Sequence, residues 1–244
     1  MNILITGVSS GIGWGLAKHY LELGHTVFGL SRRTPKDLIK KANFNFAKCD
    51  LTNFNTSSEI ISHLISGIKT MDLVILNAGI LGPITDMKMQ KINNLQDVMN
   101  VNVWANKPVI DTLIKNIPSL VKVVAISSGA SINGNKGWGG YSISKAALNM
   151  LIKLYASENK KTLFYSLAPG LVDTAMQDYL CGNKLNINDF PAQKKLKSAR
   201  NTASMPQPEI AAKSLSNAIK NLNDYNSGEF IDIRNLSKGK DHIY

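Results

Sequence analysis

The chain has 244 residues, 44% of them hydrophobic and 18% charged. That balance supplies a sizeable core for one large α/β unit, and no run approaches the roughly 20 apolar residues that a membrane helix needs. The net charge of +11 is scattered, with its densest cluster, KKLKSAR, at 194–200; without zinc-finger spacing or an RNA-binding aromatic pattern, it does not argue for a nucleic-acid partner.

Taken in chain order, apolar runs alternate with helix-like segments. Strands are expected at 2–7, 26–30, 44–50, 71–78, 121–127, 163–170 and 228–233, and helices near 12–23, 57–68, 92–116, 141–158 and 208–221. Most of these strands are short apolar runs without polar alternation, as in strands covered on both faces. Such alternation predicts an α/β fold, a doubly wound parallel sheet with helices on both faces and right-handed crossovers. MNILITG opens as a strand rather than a signal peptide. Two cysteines, Cys49 and Cys181, make neither a disulfide framework nor a metal site. A cytoplasmic setting, no metal and no membrane contact are expected.

Ligands in such sheets bind beyond the carboxyl ends of the strands, so the residues there carry the functional reading. The first strand runs into TGVSSGIG, Thr6 to Gly13. Gly7, Gly11 and Gly13, with Ser9, Ser10 and Ile12 between them, follow a strand and open a helix. Backbone N–H groups there can approach a pyrophosphate, and the helix dipole favours its charge; the alternative is a tight turn with no ligand. The second strand ends in Ser31, Arg32 and Arg33 where an acidic residue would select a free ribose hydroxyl. Guanidinium groups suit a 2′-phosphate, so NADP(H) is favoured over NAD(H); solvated loop arginines are the alternative. Asp50, followed by Leu51, is placed to accept from an adenine amino group or to cap a helix, and Asn77, Ala78 and Gly79 let the backbone pass close to a ribose or form a plain turn.

The fifth strand ends at Ser127 and Ser128, and thirteen residues beyond Ser128 stands Tyr141, followed four residues later by Lys145. Four apart, these two share one helix face. A free phenol ionises near pH ~10, too high for efficient proton transfer at neutrality. A lysine ammonium nearby favours the phenolate, and Ser128 can hydrogen-bond a substrate oxygen as charge develops on it.

These residues together resemble the short-chain dehydrogenase/reductase family in its short, single-domain form. The motifs that carry the resemblance are Thr6-Gly7-x-x-x-Gly11-x-Gly13, Asn77-Ala78-Gly79, Ser128, Tyr141-x-x-x-Lys145 and Pro169-Gly170. The resemblance implies a seven-stranded parallel Rossmann sheet, one domain over 1–244, and reversible hydride transfer between NAD(P) and a carbonyl or alcohol. It implies a catalytic set of Asn102, Ser128, Tyr141 and Lys145, with Asn100 the alternative to Asn102. Asn102 would hold a water linking Lys145 to a proton relay, and Lys145 would also hold the nicotinamide ribose. Pro169, Gly170, Val172 and Thr174 would line the nicotinamide. Two departures stand out: Ser10 replaces the basic residue that many NADP-preferring members carry in the glycine loop, and Asn235 and Leu236 replace paired glycines after the last strand. Residues 175–206 read as a substrate-binding lid, with Met176, Tyr179, Leu180 and Phe190 as a candidate apolar wall and Trp138 as a pocket residue. The basic run 194–200 reads as a solvated face. Family members are often dimers or tetramers, so a homo-oligomer is expected. A non-catalytic NADP(H)-binding redox sensor is the alternative function.

Overall fold

The computed structural model describes residues 1–182 and 190–236. The parts of the expected lid at 183–189 and of the tail at 237–244 lie outside the described residues.

Nine strands are present among the described residues: β1 (Asn2–Thr6), β2 (Thr26–Ser31), β3 (Phe44–Lys48), β4 (Thr70–Met71), β5 (Leu73–Leu76), β6 (Ser119–Leu120), β7 (Lys122–Ile126), β8 (Leu163–Ala168) and β9 (Phe230–Asp232). Seven form one sheet in the order β3-β2-β1-β5-β7-β8-β9, with every pairing parallel. The short pair β4 and β6 sits apart as a parallel ladder. The helices are α1 (Gly11–Glu22), α2 (Phe54–Leu64), α3 (Ile92–Met99), α4 (Asn106–Asn116), α5 (Gly139–Glu158), α6 (Ala175–Cys181), α7 (Ala192–Ala199) and α8 (Pro208–Lys220). This is a Rossmann-like α/β fold.

The uninterrupted apolar strands have a direct physical outcome. Side chains alternate between the faces of a strand, so Ile3 and Ile5 of β1 enter one core with Leu16 of α1 and Leu215 of α8. Leu4 between them enters the other, with Ile61 of α2, Val109 of α4 and Leu148 of α5. β7 repeats the pattern: Val124 and Ile126 face the first core, Val123 and Ala125 the second. A polar residue at either phase would be buried, which is why these strands show no polar alternation.

The chain builds outward from β1 to β3 and then returns to place β5 on the other side of β1. The strand order reverses there, and a crevice opens at the carboxyl ends of β1 and β5.

One expected element differs. The helix foreseen over 92–116 is two helices, α3 and α4, joined by a π-helical turn at Asn100–Trp104. Pro108 has no N–H to donate to the carbonyl four residues back, so it sits in the first turn of a helix that starts afresh. The π turn carries Asn102.

Candidate active site

At the carboxyl ends of the strands lies a cleft of about 400 Å³. Every sequence-predicted cofactor and catalytic residue lines it except Gly13 and Asn102.

The glycine loop is shaped by two left-handed residues, Gly7 (φ 77°) and Gly11 (φ 62°). A Cβ on Gly7 would come within 2.9 Å of Asn77 Nδ2 and 3.0 Å of Ala78 Cα, so only glycine fits. Gly13 packs behind the loop, where a Cβ would collide with Asn77 Nδ2 and the Gly7 carbonyl. Thr6 fixes this junction: its hydroxyl oxygen accepts from the N–H groups of Asn77 (2.9 Å) and Ala78 (3.1 Å). Asn77 Nδ2 donates back to the Thr6 carbonyl at 3.0 Å. Asn77 thus serves first as a clamp between β1 and β5. Ser10, extended at φ −168°, precedes α1 without capping it by its side chain, which leaves the first N–H groups of the helix open to an anion.

At the end of β2, Ser31 is buried and its hydroxyl donates to the Arg33 carbonyl at 2.6 Å. It therefore shapes the turn that presents the two arginines. Arg32 is exposed at the cleft, and Arg33 Nη2 donates to Ser10 Oγ at 3.2 Å, tying the arginine turn to the glycine loop. Asp50 Oδ1 accepts from the Thr52 hydroxyl (2.7 Å) and N–H (3.0 Å). Those hydrogen bonds hold its carboxyl below the usual range; Asp50 shapes the turn before α2 rather than capping the helix, whose N-cap position falls to Asn53.

The other end of the cleft gathers Ser128, Tyr141 and Lys145. Lys145 is 4% exposed, and its Nζ donates to the Ile126 carbonyl at 2.7 Å. Nζ stands 5.7 Å from the centroid of the Tyr141 ring. Burial pushes the lysine down to about 8. Burial also pushes the Tyr141 phenol up to about 12, opposed by the nearby Ser128 hydroxyl. The shift of the phenol runs opposite to the direction expected from a neighbouring ammonium, because loss of solvent outweighs charge here.

Asn102 is fully buried behind this group. Its Oδ1 accepts from the Ile80 N–H (2.8 Å), and its Nδ2 donates to the Ile80 carbonyl (2.9 Å) and to Ser144 Oγ (2.9 Å). Ser144 Oγ donates in turn to the Tyr141 carbonyl at 2.8 Å. The carboxamide is thus engaged by protein partners, and the Asn102 backbone carbonyl accepts from Asn106 Nδ2 at 2.9 Å.

Sequence reading missed Thr6 as a clamp and Ser144 as the link between Asn102 and the tyrosine helix. It missed Asn149 as well, which accepts from Ser127 Oγ (2.6 Å) and donates to Ser131 Oγ (2.9 Å), bracing the residues around Ser128. A signal for Ser144 and Asn149 existed: both lie on the tyrosine–lysine helix, three and eight residues after Tyr141.

Over the substrate end, Leu180 of α6 and Leu196 of α7 line the cleft with Trp138, Leu171 and Met176. These join Phe190 and Met205 in a third apolar cluster. Tyr179 of the expected wall is exposed instead. Trp138 packs edge-on against Tyr141 with ring centroids 6.0 Å apart.

Fold and cleft define a Rossmann-type nucleotide-binding α/β protein. The profile of the short chain dehydrogenase family matches residues 1–184, and the chain belongs to that family of oxidoreductases. A benzil reductase ((S)-benzoin forming) of Bacillus cereus is 30% identical over 95% of this chain and 98% of its own length. Among solved structures, a short chain dehydrogenase/reductase from Saccharomyces cerevisiae superimposes with TM-score 0.87 at 22% identity, covering 98% of both chains. ElxO with NADP bound gives 0.77 at 22% identity over 95% of this chain and 96% of that one. No described helix is long and apolar enough to cross a membrane, and no group of metal-binding side chains occurs among the described residues.

Proposed function

We propose that this chain is an NADP(H)-dependent carbonyl reductase of uncharged, apolar or aryl-bearing ketones, with residues 175–206 serving as the substrate lid. The observation that carries the reading is the meeting, in one cleft, of Ser128, Tyr141 and Lys145 with a glycine loop and a substrate end walled by Trp138, Leu171, Met176, Leu180 and Leu196. The activity for which the Bacillus cereus relative is named, reduction of benzil, is of the same chemical class.

The residues fit a dinucleotide. The uncapped start of α1 and the left-handed glycines offer N–H groups to a pyrophosphate, and Arg32 and Arg33 offer guanidinium groups to a 2′-phosphate. When bound, the nicotinamide supplies the hydride. The protein's part is to hold and charge the carbonyl. Ser128 and Tyr141 hydroxyls donate to its oxygen, which polarises the carbon and stabilises the charge that gathers on oxygen. Tyr141 then gives its proton to that oxygen, and the Lys145 ammonium stabilises the phenolate left behind. Burial keeps the phenol protonated and so able to donate, and the positive charge of Lys145 is what favours release of that proton during the reaction. Asn102 and Ser144 fix the backbone of the tyrosine turn.

The outer face of α5 exposes Ile143, Met150 and Leu154, and the π turn exposes Trp104. An apolar stripe of this spacing suits a contact with a second copy, and a homodimer or homotetramer is part of the proposal. The sensor alternative is not favoured, since the full-length relative is named as a reductase.

The test is oxidation of NADPH and NADH with benzil, aryl ketones and aliphatic ketones, with Tyr141→Phe as control. Turnover should fall by at least ~100-fold in that variant while NADPH still binds. Near-normal turnover would sink the assignment of Tyr141.

A further inference from the structure

We propose that Arg200 is a positioning residue that sets how the lid meets the substrate, acting through Asp173 on the cofactor loop. The inference rests on reading the cleft as a carbonyl-reduction site. Arg200 follows the last turn of α7. Its Nη2 pairs with Asp173 Oδ1 at 3.0 Å and also with Asp178 of α6. Its Nη1 donates to the Gln177 carbonyl at 3.3 Å. One guanidinium therefore joins both lid helices to the loop that follows β8.

Asp173 is built to receive it. Its side chain is 8% exposed. Oδ2 accepts from Gln207 Nε2 at 3.0 Å, and its N–H donates to the Pro206 carbonyl at 2.9 Å. The carboxylate is thus held from both sides of the return path out of the lid. The residue after Arg200, Asn201, has φ 63°, the sole left-handed non-glycine among the described residues. That conformation turns the chain away directly after the guanidinium is set, and it is one that asparagine tolerates better than most residues.

The link to function is short. Asp173 lies between Val172 and Thr174, which both line the cleft. Thr174 Cγ2 would stand 3.3 Å from a Cβ on Gly11, so this loop bears on the glycine loop. On the lid side, Leu180 and Leu196 both reach the cleft, and Arg200 fixes the two helices that carry them. A planar fork that meets two carboxylates and a carbonyl sets an angle that a point cation does not.

The experiment compares wild type with Arg200→Met, Arg200→Lys, Asp173→Asn and the Arg200→Met/Asp173→Asn double variant. In Arg200→Met, the carbonyl substrate's KM should rise about tenfold or more with kcat within about twofold, the pattern of lost binding rather than lost chemistry. Arg200→Lys should recover only part of that loss. The double variant should be no worse than its worse single parent, because the two residues act as one unit. An activity-free arm uses endoproteinase Lys-C on the wild type and Arg200→Met: cleavage after Lys194, Lys195 and Lys197 should accelerate about tenfold, with the remaining digest unchanged. If no carbonyl is turned over by wild type, the functional reading fails, and the Lys-C arm still decides whether Arg200 holds the lid. Unchanged KM and unchanged cleavage overturn the proposal. So does a parallel collapse of kcat, KM and melting temperature, which marks a general structural role.

Discussion

Burying Lys145 should cost this protein stability, and the cost should depend on pH. The lysine is 4% exposed, with the Ile126 carbonyl as its hydrogen-bond acceptor, and its folded value is depressed from 10.5 to about 8. The unfolded chain therefore binds more protons between those values. Stability from this group is lowest below the folded value and rises as pH climbs towards the unfolded one. At ~1.4 kcal/mol per tenfold, the full penalty near neutrality is about 3 kcal/mol, and roughly 2 kcal/mol of it is relieved between pH 7 and pH 9.5. Lys145→Met keeps the length of the side chain and removes the charge. It also forfeits the bond to Ile126, worth about 1 kcal/mol. The variant should thus be more stable than wild type by about 2 kcal/mol at pH 7, and the difference should vanish by pH 9.5. Urea unfolding of the cofactor-free proteins at the two pH values measures this. Lys122 is also buried and depressed, but it is common to both proteins and cancels in the difference. Wild-type and variant stabilities that run parallel in pH would refute the reasoning. Activity should be lost in the variant, so the lysine would be kept at the expense of the fold.

Arg32→Glu should lower the NADPH-to-NADH ratio of kcat/KM by at least about tenfold; an unchanged ratio would place the 2′-phosphate elsewhere. Asn102→Ala leaves the partly buried Ile80 N–H and carbonyl without their partners and removes one bond to Ser144, and should destabilise by about 2–4 kcal/mol in urea unfolding; a change below ~1 kcal/mol would mean that those bonds are replaced by water. Leu154→Glu puts a charge in the exposed stripe of α5, and sedimentation should show the oligomer falling to monomer; an unchanged mass would move the interface to another face.

The sheet was legible in the sequence because its central strands are buried on both sides, and that burial writes itself as short unbroken apolar runs. The glycine loop was legible because its conformations exclude other residues. Long-range bonds leave no such local trace. Thr6 and Asn77 are 71 positions apart, and nothing in TGVSSGIG announces that the threonine oxygen will receive two N–H groups. Arg200 was hidden differently. In KKLKSAR, Lys194 and Lys195 are exposed as expected, but the same run ends in a residue held by two aspartates from other segments. Composition reports the run; only the packing of α6 on α7 separates its last member from the rest. The break near Asn102 did have a local signal, Pro108, overridden by the apolar periodicity on either side.

The π turn at Asn100–Trp104 also sets a reading frame in space. Each residue advances a helix by about 100°, so the wider turn inserts an angular offset between α3 and α4. Val109, Ile110 and Leu113 of α4 face the core only with that offset in place. Were the same five residues wound as regular α-helix, the rest of the helix would be rotated by most of one residue's step and its apolar stripe turned away from the sheet. The π turn thus stores one residue: a single deletion here can be absorbed by reverting to α-helix with the apolar stripe of α4 nearly in place, whereas a further insertion cannot, even though side chains such as Trp104 lie at the surface.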